Sequence, residues 1–95
     1  MAVTVTGRAI TLTAVADAYD GIVSIVGMTL QGTGLTAGQR LLVTDTNGSP
    51  LADYEVEAAV DNADLWGARQ PMIVKGVKIP SGTVGGTWVL TIYFE

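Results

Sequence analysis

The densest set of chemically capable side chains in this sequence is acidic. Asp53, Glu55 and Glu57 alternate along one segment, and Asp61 and Asp64 follow closely. Carboxylates in such numbers serve acid–base catalysis, hard cations or electrostatic contacts. Three of them at i, i+2 and i+4 of a strand stand about 7 Å apart on one face, and they repel unless a basic neighbour or partner lies opposite. The bases cluster elsewhere, at Arg69, Lys75 and Lys78. Residues 17 to 64 hold eight acids and one base, a charge of −7, whereas the remainder holds four bases and one acid, a charge of +3. One reading is a solvated edge that blocks sheet-to-sheet aggregation. The other is a pair of complementary surfaces, used between subunits or with a larger partner. Glycoside cleavage by paired carboxylates needs a sugar cleft and separated pKa values, and so small a domain offers little depth for one.

The rest of the catalytic repertoire is missing. The chain has no Cys and no His, which removes thiolate nucleophiles, imidazole proton transfer, disulfides and the commonest zinc ligands. Five Lys and Arg against nine Asp and Glu leave a net charge of −4, the wrong sign for a nucleic-acid binder. Asp45-Thr46-Asn47-Gly48 has the opening of a calcium loop without the glutamate that should close it at the twelfth position, so it reads as a hairpin turn. Asp61-Asn62-Ala63-Asp64 offers oxygen ligands to a hard cation, or carboxylates for Asx turns. The glycine loops 32–38 and 82–86 lack the phosphate-binding patterns and read as β-connections. Trp66 stands outside the well-patterned strands, as a plug in the core, an anchor for a partner, or a platform for a sugar. These residues imply neither catalysis nor a cofactor nor a metal.

The elements that must position these residues are strands. Thr, Val, Ile and the aromatic residues make up 36 of 95 positions, while Lys and Glu total five, too few for long surface helices. Alternation predicts strands at 3–6 and 8–14, and a stretch apolar on both faces at 22–31 must be central or covered by another subunit. Residues 16–21 read as a polar turn and 32–38 as a loop. A strand over 40–45 leads through Asn47-Gly48 to Pro50, which disfavours a central strand. Residues 51–59 form a strand with Asp53, Glu55 and Glu57 on one side, in preference to a helix with no base to pair its acids. Residues 61–70 look irregular, and 71–80 form a strand interrupted by a bulge or bend at Gly76. The clearest alternation is 87–95, with Trp88, Leu90, Ile92 and Phe94 inward. The expected fold is all-β, a single-domain antiparallel β-sandwich or jelly roll of about seven strands spanning residues 1–95.

At 9.8 kDa such a domain has little to spare. Surface scaling leaves a folded chain of this mass about 5,200 Å² exposed and buries on the order of 9,000 Å². Apolar burial then supplies roughly 135 kcal/mol against an ordering cost of ~140 kcal/mol. With no disulfide to help, association with neighbours becomes an expectation. The first residues lack the pattern of a signal peptide, and the most apolar window, 21–30, is too short to span a bilayer. Synthesis in the cytoplasm and no membrane partner are expected.

The order of these signals resembles the small β-sandwich structural proteins of tailed-bacteriophage virions, especially capsid decoration or cement proteins. The stretches that carry the resemblance are VTVTGRAITLTA, GLTAGQRLLVTDTNGSPL and WGARQPMIVKGVKIPSGTVGGTWVLTIYF, most of the chain. The resemblance implies a non-enzymatic protein on the outside of a phage capsid. Its partners would be the major capsid protein and its own copies, as a trimer in preference to a dimer. For such a role, charge and aromatic character, and not a family motif, nominate Trp66, Arg69, Lys75, Lys78, Asp53, Glu55 and Glu57 as contact residues. Similar small proteins occur in phage tails and fibres, where the role would be binding a receptor or carbohydrate.

Overall fold

The computed structural model describes residues 3–57, 60–67, 70–85 and 87–95. Its last strand obeys the alternation expected of it: Trp88, Leu90 and Ile92 are buried, and Val89, Thr91 and Tyr93 are not. Among the described residues eight strands occur, namely β1 (Val3–Thr6), β2 (Ala9–Leu12), β3 (Ala18–Leu35), β4 (Arg40–Thr44), β5 (Pro50–Glu55), β6 (Val60–Asp64), β7 (Met72–Gly82) and β8 (Trp88–Phe94). All pairings are antiparallel, in the order β1-β2-β8-β3-β7-β4-β5, with β6 also on β3.

β3 organises the molecule. Its first part pairs with β7, from Ala18 opposite Lys78 to Ile25 opposite Met72, and its second part pairs with β8 and β6. The sheet therefore has two lobes joined along β3, and their inner sides share one core. Ile10, Leu12, Leu90 and Ile92 come from one lobe, and Leu41, Val43, Val77 and Ile79 from the other. This is the expected sandwich-like all-β architecture. The total exposed surface is 5111 Å², close to the scaling expectation.

Two bulges keep the apolar side chains inward while the strands bend. In β3 the buried positions change from Val23 and Ile25 to Met28 and Leu30, because the register with β8 shifts between Ile25 and Gly27. In β7 they change from Val74 to Val77 and Ile79 across Gly76, the interruption anticipated there. Gly76 has φ +78°, and a Cβ at that site would meet the Thr46 hydroxyl and lie 2.7 Å from the Tyr19 carbonyl. Only glycine satisfies both constraints.

The strand boundaries differ from expectation chiefly at the two ends of β3 and at β6. β3 begins at Ala18 and runs to Leu35, absorbing part of the predicted turn at 16–21 and loop at 32–38. The connection before it is compressed to 13–17, where the buried Asp17 carboxylate accepts from the amides of Thr13 (3.0 Å) and Ala14 (3.1 Å). Residues 61–64, predicted irregular, form most of β6 because their backbone completes the free side of β3. Pro50 opens β5, an edge strand, where a missing N–H is tolerated. The Asn47-Gly48 hairpin is present, with Gly48 at φ +91° and the Asp45 carboxylate accepting from the amides of Asn47 and Ser49.

Candidate interaction surface

Most of the acidic segment lies on β5, at the edge of one lobe. The hairpin at 45–49 folds β5 against β4 so that Arg40 stands opposite Glu55 and Leu42 opposite Asp53. Arg40 reaches both acids: its Nη2 lies 3.1 Å from Asp53 Oδ1, and its Nη1 lies 3.5 Å from Glu55 Oε1. The hydrogen bond to Asp53, with the charges of Asp53 and Glu55, raises the Arg40 pKa further above its usual value. The basic neighbour that three alternating carboxylates require is thus Arg40, in the same chain. Glu57 lies just beyond the strand and is exposed.

On the other side of Arg40, its amide donates to the Thr83 hydroxyl (2.9 Å) and its carbonyl accepts from the Thr83 amide (2.8 Å). Arg40, Leu42, Asp53, Ser81, Gly82 and Thr83 line a shallow cleft of about 380 Å³. It has hydroxyls and charges but no aromatic wall, and its guanidinium is already engaged. Sequence reasoning passed over Arg40, although counting back from the Asn47-Gly48 turn sets it opposite Glu55.

Trp66 requires a correction. Only 2% of its surface is exposed, and it belongs to the core cluster. The Leu65 amide extends the β6 pairing by donating to the Met28 carbonyl (2.9 Å), and the Asp64 carboxylate accepts from the amides of Trp66 and Gly67, each at 3.0 Å. These bonds turn the chain inward and seat the indole under the sheet. Trp66 is therefore the core plug, with too little exposed surface to act as an anchor for a partner in this conformation. The Gly67 bond, then the Trp66 bond, lowers the Asp64 pKa. Asp64 is thus half of an Asx turn, and among the described residues no cluster of three or more acids converges as a metal site would require. Arg69 lies outside the described residues.

Lys75 and Lys78 sit on β7 on either side of the Gly76 bulge, Lys75 opposite Ile22 and the half-buried Lys78 opposite Ala18 and Thr44. Around Lys75 the outward side of the sheet is apolar. Ile22 is 72% exposed and Ile73 is 75% exposed. They are diagonal neighbours, because Ile22 pairs with Lys75 and Ser24 pairs with Ile73. Val26, raised by the β3 bulge, Met72 and Tyr93 are exposed apolar residues of the same strands or of β8. The Tyr93 ring lies over Gly27, where a Cβ would come within 3.5 Å of it.

No protein-family model, curated protein or solved structure matches the chain. The functional reading therefore rests on these surfaces and on the residue patterns themselves. The six nominated contact residues that are described do not form one patch. Asp53 and Glu55 belong with Arg40 on the β4–β5 edge, Lys75 belongs with the exposed isoleucines, and Trp66 is internal. The apolar side chains that complete the Lys75 surface, Ile22 and Ile73, were not nominated.

Proposed function

We propose that this chain is a non-enzymatic structural protein that works by packing against protein neighbours. The observation that carries the reading is the diagonal pair Ile22 and Ile73, each about three-quarters exposed on the paired strands β3 and β7. Two large aliphatic side chains side by side on a sheet face, with Val26 and Tyr93 exposed on the same side, mark a protein contact better than a solvated surface. A domain whose apolar burial only about matches its ordering cost gains stability from covering them.

Together with the resemblance to phage decoration proteins, this supports a role on the outside of a tailed-phage capsid, bound to the major capsid protein and to its own copies. The chain would be made in the host cytoplasm and act in the virion. Cosedimentation with empty or expanded phage shells tests the assignment. The protein should pellet in fixed stoichiometry and raise the melting temperature of the shell, and protein left wholly in the supernatant contradicts it. The hydroxyl-lined cleft beside Arg40 favours a second reading, a carbohydrate- or receptor-binding module of a phage tail or fibre. Binding to host cells or to a glycan array, with no binding to shells, would select that reading.

A further inference from the structure

The exposed face of β3, β7 and β8 carries charges as well as isoleucines, and their arrangement narrows what can cover it. Ile25 pairs with Phe94, and one residue further the Glu95 amide donates to the Ser24 carbonyl (3.0 Å), so Glu95 stands opposite Ser24. Ser24 is in turn opposite Ile73 on β7. One row across the sheet therefore reads Glu95, Ser24, Ile73, and the next reads Ile22, Lys75. Lys75 and Glu95 occupy opposite corners of this patch, about 12 Å apart by strand and residue spacing, with both isoleucines between them. Both are exposed, and among the described residues neither forms an ion pair within the chain.

We infer that a second copy of this chain covers the face, in a two-fold pair in which Lys75 of each copy meets Glu95 of the other across the joined isoleucines. The inference rests on the reading of the face as a protein contact and names its occupant. A two-fold interface must be self-complementary, so that if residue i meets j then j meets i. A patch with one cation and one anion at opposite corners and apolar groups between meets this condition when a copy is turned over onto it. Both ion pairs then form at once. A partner of uniform charge would leave one corner facing its own sign. Because the contact uses one patch on both copies, it closes as a pair and not as a ring of three.

Sedimentation equilibrium on the wild type, Lys75→Glu, Glu95→Lys and the double reversal tests the inference. The wild type should dimerise, each single reversal should weaken the dimer by at least about tenfold, and the double reversal should restore it to within about threefold. Glu95→Lys is the discriminating single variant. It makes the net charge less negative, so overall charge alone predicts tighter association, whereas the pairing predicts weaker. Ile73→Ser, which changes no charge, should weaken the dimer as well. A wild type that stays monomeric, reversals without effect, or a double variant as weak as the singles would each overturn the pairing. Shell cosedimentation on the same samples separates the two levels. A monomer that still binds shells defeats the pairing alone, and a dimer that binds none defeats the capsid assignment alone.

Discussion

The two outward surfaces of this domain share strand β7 and differ in where their charges find partners. Along β4, β5 and the end of β7, Arg40 sits between Asp53 and Glu55 and is braced from the other side by Thr83. Along β3, the start of β7 and the end of β8, Lys75 and Glu95 stand apart with Ile22 and Ile73 between them. The first surface, although it holds much of the acidic stretch, is largely satisfied within the chain. The second has modest charge and exposes the apolar area that a partner would cover. A dense run of charge in a sequence is therefore a poor guide to an interface until the cross-strand neighbours are known.

The largest effect should come from the point where the surfaces meet. Gly76→Ala forces a side chain into positive φ and into the Thr46 and Tyr19 contacts, and should destabilise the fold by about 2–5 kcal/mol. Thermal unfolding should show a midpoint lower by at least about 10 °C. A near-neutral result would separate the surfaces mechanically. Next, Ile22→Ser should leave the stability of the monomer within about 0.5 kcal/mol, since the side chain is exposed, while abolishing concentration-dependent association. Denaturant titration of dilute protein beside sedimentation distinguishes the two effects.

Arg40→Ala should do the reverse, lowering stability slightly and leaving association intact. The loss should disappear in about 1 M salt, where the screening length falls to about 3 Å. Asp64→Asn should have the smallest effect. The folded-state pKa of Asp64 lies below its usual 3.8, so the carboxylate contributes stability at and above that pH and loses it as pH falls through the folded value. The variant should therefore be slightly less stable than the wild type at neutral pH and equal to it in strong acid, as measured by unfolding midpoints across pH.

How far the sequence could be read depended on whether alternation survived. β8 alternates without interruption from Trp88 to Phe94 and is legible from end to end. β3 is interrupted at Val26 and Gly27, so its length and its inward face cannot be counted from either end. β6, with the polar run Asp61-Asn62-Ala63-Asp64, carries no apolar period and exists because β3 offers a free edge. The apolar character of both faces over 22–31 did signal a central strand or a covered one. In the structure the strand is central and its outward side is still open at Ile22. Ile73 was hidden in an apolar run that Gly76 breaks, and Trp66 drew notice for its size when the Asx turn at Asp64 folds it inward.

The central claim, that the outward face of β3 and β7 is a contact between copies, is tested most directly by the isoleucine methyl groups. Ile10, Ile25, Ile79 and Ile92 are buried in the core, and Ile22 and Ile73 lie on the proposed contact. In methyl NMR spectra recorded over a range of protein concentration, the signals of Ile22 and Ile73 should move together along one binding curve while the other four stay fixed. Six signals that do not change with concentration, or changes shared equally by core and surface, would contradict it.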